Sequence, residues 1–202
     1  METVALRLFE DRGFDQVTID EIAAEAHISV RTFYRYFPAK EDVFQVRIDR
    51  SSEALRVALA ARQVDEAPLR SLRLALEETA SQEDEAFARR WTAVVVATPS
   101  VLRTVLGGYQ LNAQRSMAEF LGSRLGLAAD ALVPGMLAAA VGGVIQTARM
   151  QWFIEGGDLV ARMSAGLELL ERAIGSDPRT WSGAEVDRNE SSSGEHVDPT
   201  GP

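Results

Sequence analysis

The sequence contains no cysteine, which excludes a disulfide framework, a thiolate metal site and a cysteine nucleophile, and suits a reducing compartment. Histidine is almost as scarce. His27 and His196 are the only two, too few for a site built from several imidazoles. No phosphate-binding glycine loop and no spaced set of carboxylate ligands is present, so no catalytic residue, metal or cofactor is expected and the chain does not read as an enzyme. The longest apolar run, Ala131 to Ile145, is 15 residues and is bounded by Asp130 and Gln146. It is shorter than a bilayer span, and no secretory pattern precedes it, which predicts a soluble, cytoplasmic protein without a membrane partner. Lysine occurs once, as Lys40, while every other basic side chain is an arginine.

What is present is ordinary for a chain that buries a core: 202 residues, 46% hydrophobic and 25% charged. The net charge of -9 argues at first against nucleic acid, but the acids are unevenly placed. Six of them, against two arginines, fall after Gly175 in a stretch rich in Ser, Gly and Pro. That composition predicts a disordered acidic tail over 176–202, with Trp181 as its one large apolar residue. Between Ser29 and Lys40 there is no acid, but Arg31, Arg35 and Lys40 are there.

Up to Gly175 the periodicity is helical and no segment alternates as a strand does, so the fold class is all-α. Val4, Leu8 and Phe9 mark one face of a first helix ending at Gly13. Thr18-Ile19-Asp20-Glu21 has the form of a capping box, and Ile19, Ile22, Ala23 and Ala26 give a short second helix its stripe. Ser29 can cap a third, in which Phe33 and Phe37 share a face. Pro38 stops that helix, and a long amphipathic helix is expected from Ala39 to Arg62. Further helices are expected over 66–81, 83–97, 100–125, 130–155 and 158–174. The spacing of the second and third short helices is that of a helix-turn-helix.

On the third helix, Phe33 and Phe37 point inward, which turns Arg31 and Arg35 outward. Val30, Thr32, Tyr34 and Tyr36 add groups suited to thymine methyls, base edges and phosphates. Lys40 and Thr18 stand at helix N-termini, where amides and charge favour a phosphate. Arg35 could instead pair with Glu25.

These segments resemble the DNA-binding domain of TetR-family transcriptional regulators: Ala5-Leu6-Arg7-Leu8-Phe9, Gly13-Phe14, Val17-Thr18-Ile19, Ile22-Ala23, Ile28-Ser29, Arg31-Thr32-Phe33-Tyr34-Arg35-Tyr36-Phe37 and Lys40-Glu41. The likeness runs from residue 3 to about 46. It implies DNA contacts at Thr18, Val30, Arg31, Thr32, Tyr34, Tyr36 and Lys40, to which the outward arginine pattern adds Arg35. The family's usual turn glycine is His27 here, a residue type that tolerates positive φ at a cost of about 1 kcal/mol. A further helical turn and a basic arm normally come before the point where this chain begins. Without arm contacts, affinity would be lower and the salt dependence shallower.

The remaining helices predict a domain organisation of 1–46 for DNA binding, 47–175 for ligand binding and dimerisation, and the tail. A reader of two-fold operators is a homodimer. The helix from Leu132 to Trp152 is apolar on most sides, and Gly142-Gly143 with the preceding alanines would permit close helix approach. The expected interface comprises Leu132, Ala139 and Gly143 with Leu159, Met163, Leu167 and Leu170. Residues 85–174 also resemble the C-terminal domain of mycofactocin-regulator-type members, through Arg89-Arg90-Trp91, Thr98-Pro99-Ser100-Val101-Leu102-Arg103, Arg124-Leu125-Gly126 and Gln151-Trp152-Phe153. That resemblance implies an effector such as a long-chain acyl-CoA.

From the residues themselves only an apolar pocket with a few polar handles follows. Its expected lining is Trp91, Val95, Leu102, Leu106, Tyr109, Met117, Met136, Gln146, Met150 and Phe153, with Arg149 or Arg115 for an anionic group and a kink at Gly107-Gly108. The function expected is a repressor released from a palindromic operator by a small hydrophobic effector. The alternative is a helical dimerisation module whose DNA binding is weakened or lost.

Overall fold

In a computed structural model of the chain, residues 1–175 are described, apart from the side chains of 106–112. The expected disorder after residue 175, Trp181, the kink at Gly107-Gly108 and the side chains of Leu106 and Tyr109 lie outside the described residues. Among those described there is no strand. The helices are α1 (Glu2–Arg12), α2 (Ile19–Glu25), α3 (Val30–Tyr36), α4 (Gln45–Ala60), α5 (Pro68–Ser81), α6 (Glu85–Ala97), α7 (Pro99–Leu125), α8 (Leu132–Glu155) and α9 (Leu159–Ile174). Short 3₁₀ segments occupy Phe14–Gln16 and Lys40–Phe44.

Local chemistry sets most of these limits. Asp84 and Asp158 accept the Phe87 and Ala161 amides and so cap α6 and α9. Pro68 and Pro99 occupy first-turn positions, where a missing N–H costs nothing. Gly126, at φ 69°, ends α7 in the left-handed region that a glycine adopts freely. The expected long helix from Ala39 is interrupted. Asp42 accepts the Ala39 amide at 2.7 Å, and the 3₁₀ segment leads into an α4 that starts only at Gln45.

Two apolar clusters organise the molecule. One joins α4, α5, α7, α8 and α9 through Leu55, Leu72, Met117, Leu121, Val141, Trp152 and Met163. The other holds Phe9, Phe14, Phe33, Phe37, Phe44 and Ile48 with Trp91, Val95, Val101 and Val105. The core beneath the first three helices therefore does not close at residue 46; α6 and the start of α7 complete it. The buried stripe of α1 is Ala5, Leu6 and Phe9, with Val4 and Leu8 only half-buried.

α8 and α9 correct two expectations. Met163 is 2% exposed, and Leu159 and Leu167 are also buried in their own protomer's core, with Leu170 packed against it. These four serve the bundle and are not a free face. The alternation along α9 puts Glu168, Leu169 and Arg172 outside instead. The glycine at the tightest approach of α8 and α9 is Gly166, where an added Cβ would stand 2.6 Å from Val144 Cγ1. Gly142 meets only the Gln114 side chain and Gly143 meets nothing, so neither brings helices together within the protomer. With 24 residues, α8 is long and apolar enough to cross a membrane by length and composition, although its longest unbroken apolar run is shorter. One face of it, through Val133, Leu137, Val141, Ile145 and Trp152, is used in the core. The opposite face leaves Leu132, Met136, Ala139 and Gly143 exposed.

Candidate nucleic-acid interface and adjoining cavity

The helix-turn-helix is built from its caps inward. Glu21 donates its amide to Thr18 Oγ1 at 3.3 Å, and its carboxylate accepts the Thr18 amide at 2.8 Å and hydroxyl at 2.9 Å. Arg12 of α1 adds a bond to the same carboxylate at 2.6 Å. The Thr18 amide, with these partners, lowers the Glu21 pKa from the ordinary 4.5 to about 2. Thr18 is exposed at the start of α2, but its hydroxyl is already engaged in the cap. His27 occupies the turn at φ 55°, the sole non-glycine residue with positive φ among those described. Its amide donates to Ala24 O, so its role there is conformational.

Ser29 Oγ accepts the Thr32 amide at 3.0 Å and starts α3, with the Thr32 hydroxyl 2.8 Å from the same oxygen. Phe33 is fully buried and Phe37 nearly so, their rings 5.3 Å apart. Burying such a ring is worth about 1.5–3 kcal/mol, enough to hold the helix in one rotational setting. The opposite face is then set: Arg31 and Arg35 are exposed, Tyr34 is 52% and Tyr36 57% exposed, and Val30 and Thr32 are half-buried beside them. Arg35 lies over the Tyr36 ring at 4.9 Å and donates to its hydroxyl at 3.2 Å. Its expected partner Glu25 is taken by Arg7. Exposed aromatic rings and unspent guanidinium N–H groups on one short helix form a surface suited to a DNA groove.

Lys40 is set differently from its reading as a free phosphate ligand. Its Nζ donates to Phe14 O at 2.7 Å and Val17 O at 2.8 Å, and stands 4.1 Å from the Phe14 ring centroid. The ammonium therefore ties the segment before α2 to the segment before α4. Any phosphate contact would have to come from its remaining N–H.

Of the expected pocket residues, Trp91, Val95, Leu102, Gln146, Arg149 and Met150 do surround one cavity of about 60 Å³, together with Arg47, Thr92, Val96 and Val105. Met136 does not. It is 60% exposed, on the outer face of α8. Met117 is buried in the bundle core, and Phe153 packs against that core too. Arg115 is exposed and paired with Glu119 at 3.0 Å. Periodicity alone cannot tell a cavity wall from plain core, because both are apolar.

Arg47 and Glu83 escaped the sequence reading. Arg47 is buried, stacks 4.6 Å from the Trp91 ring centroid and donates to Glu83 at 2.8 Å; Arg149 reaches the same carboxylate oxygen at 3.5 Å. A signal did exist, since Arg47 follows Val43 and Phe44 by four and three residues and so shares their buried face. Glu83 carries none, because its partners are 36 and 66 residues away. Trp91 also meets Phe44 edge-on at 6.0 Å, so one indole touches both the cavity and the core under α3.

Comparison with known proteins agrees with this arrangement. Residues 3–46 match the bacterial regulatory proteins of the tetR family, and residues 66–175 match the MftR C-terminal domain. The chain is 26% identical to the HTH-type transcriptional regulator TcmR of Streptomyces glaucescens over 173 residues, 81% of this chain and 76% of that protein. Its fold is similar to that of SmeT, the repressor of the Stenotrophomonas maltophilia multidrug efflux pump SmeDEF, in complex with triclosan (TM-score 0.64, 17% identity, 85% of this chain and 88% of that one). It is also similar to Thermus thermophilus FadR bound to lauroyl-CoA (TM-score 0.55, 23% identity, 84% and 90%). With a helix-turn-helix that presents Arg31, Tyr34 and Arg35, and with most of its length matched, the chain belongs to the TetR family of DNA-binding transcriptional regulators, which are not enzymes.

Proposed function

We propose that the chain is a cytoplasmic repressor that reads a palindromic operator as a homodimer and leaves it when a small hydrophobic effector enters the helical domain. The observation that carries this reading is the division of α3: Phe33 and Phe37 are locked in the core while Arg31, Tyr34, Arg35 and Tyr36 are exposed. Val30, Thr32, Thr18 and the remaining Lys40 N–H complete the DNA-facing set. Residues 1–46 carry recognition and 47–175 carry the effector and the dimer. The exposed stripe of Leu132, Met136, Ala139 and Gly143 on α8 supports a two-fold contact through that helix. Two copies of α3 would then enter successive major grooves about 34 Å apart.

The MftR-type match and the lauroyl-CoA held by the Thermus protein support an acyl-CoA as the effector. In this conformation the cavity is far smaller than an acyl chain, so the effector would widen it. Binding better to that wider conformer, it would weaken operator affinity by its differential affinity for the two states. Footprinting on the DNA upstream of the gene tests the reading. A protected site with two-fold symmetry, lost on Arg31→Ala, is expected. Protection without symmetry, or protection that Arg31→Ala leaves intact, would overturn it.

A further inference from the structure

The cavity beside Trp91 is one of two spaces that meet at the same pair of arginines. The other is a groove of about 510 Å³ between the start of α1, α4, α5, α6 and α8, and it too is lined by Arg47 and Arg149, with Glu83 and Arg50. The small cavity is mainly apolar, through Trp91, Val95, Leu102 and Met150. The groove is open and of mixed character, with Arg50, Gln82 and Asp84 beside Leu55, Leu76 and Ile145. Glu83 lines the groove, and its carboxylate is shared by Arg47 and Arg149, the two residues that line both spaces, all three side chains being at least four-fifths buried. The second of these contacts, at 3.5 Å, is loose. Parting the three side chains would join the two spaces into one site with an apolar end, a basic middle and a wet mouth. Its size would fall in the range of about 300–1,000 Å³ usual for small-molecule sites.

Two further observations point to a ligand that accepts hydrogen bonds here. The Trp91 indole N–H is buried without a partner, in a side chain that lines the apolar end. Glu83 is itself an anionic group held on two guanidiniums, which is the arrangement that an incoming anion would have to reproduce. The triad also joins α4, through Arg47, to α8, through Arg149, with Trp91 stacked on Arg47 and packed on Phe44. Exchanging Glu83 for another anion would thus release the α5–α6 connection from Arg47, and so from α4 beneath the DNA-binding helices.

We propose that Glu83 is a built-in stand-in for the effector's anionic group. The effector is an amphiphile whose apolar body fills the enlarged Trp91 cavity and whose anionic head displaces Glu83 from Arg149 and Arg47. This rests on the effector reading above and specifies its chemistry. A free carboxylate and the phosphate of a coenzyme A thioester share that chemistry, and the test separates them.

Calorimetric titration of the full-length protein with decanoate, decanoyl-CoA and decan-1-ol is the experiment. At least one of the two anions should bind about tenfold or more tighter than the alcohol, the factor expected for a charge-assisted contact, and the tighter anion names the source. Glu83→Gln, which removes the internal competitor, should strengthen anion binding and leave the alcohol unchanged. Arg149→Gln should erase the preference for the anions. Decan-1-ol binding as tightly as both anions, or Glu83→Gln weakening the anions, would overturn the proposal. Should Glu83→Gln fail to fold, the wild-type comparison and Arg149→Lys, which should retain a reduced preference, still decide. Operator release followed in parallel keeps the two readings apart. Release by the alcohol as readily as by the anions would sink the anionic head alone, whereas charge-selective binding by a protein that ignores operator DNA would sink the repressor reading alone.

Discussion

Lys40 shows how far one residue's role can shift between sequence and structure. As the sole lysine, in an acid-free stretch, it read as a phosphate ligand, yet two of its donors are spent on the Phe14 and Val17 carbonyls. Lys40→Gln should therefore lower the melting temperature of the DNA-free protein, by the equivalent of about 1–3 kcal/mol for lost charge-assisted bonds. An unchanged melting temperature would return Lys40 to a purely phosphate-facing role. Glu21 gives a pH prediction at the same scale. Its carboxyl is held down to about 2, so its capping contribution is complete above its ordinary value of 4.5 and is lost as pH falls through about 2. An NMR titration of the Glu21 side chain should place its midpoint near 2 in the wild type and move it upward in Arg12→Ala. A wild-type midpoint near 4.5 would contradict the cap geometry.

Among the elements, the sequence was most legible where local rules govern. Helix limits from 66 onward fall within about two residues of their expected positions, because Pro68, Asp84, Pro99, Gly126 and Asp158 each act on their own turn. The α3 face was legible for the same reason: Phe33 and Phe37 repeat every four residues. What could not be read was which apolar face of a two-faced helix meets which neighbour. Met163 and Met136 have the same chemistry, but one is buried and the other open.

The close contact between α8 and α9 falls at Gly166, whereas Gly142-Gly143, expected to permit close helix approach, meets no other helix backbone within the protomer. Gly166→Ala should destabilise the protein, because overpacking against the stiff Val144 costs about 1–3 kcal/mol and gains back about 1 kcal/mol of helix propensity. Val144→Ala in the same chain should recover part of the loss, and a Gly166→Ala protein that melts higher than wild type would contradict the packing. The open stripe of α8 makes its own prediction. Ala139→Arg should leave the helical circular dichroism intact and turn a dimer into a 22.1 kDa monomer in sedimentation equilibrium. A dimer that persists in Ala139→Arg would place the two-fold contact elsewhere.

At the level of the whole molecule, the core beneath the DNA-binding helices is shared across the expected boundary at residue 46. Trp91, Val95, Val101 and Val105 come from the larger part of the chain, yet they pack with Phe9, Phe33 and Phe44. Sequence proximity could not reveal this, since the Phe44–Trp91 and Arg47–Glu83 contacts join residues tens of positions apart. The consequence is mechanical. On the proposed function, a change at the cavity wall would reach side chains on which the DNA-binding helices rest, a physical route from effector to operator-facing surface.

On the proposed function, the outward face of α3 reads DNA sequence. Fluorescence anisotropy of the full-length protein on its own upstream DNA tests it most directly, with a scrambled duplex as competitor and a salt titration. Salt-sensitive binding at least about a thousandfold tighter to the upstream site than to the scrambled duplex is expected. Arg31→Ala should collapse that ratio while weak binding to both duplexes survives. Equal affinity for both duplexes in the wild type would contradict it.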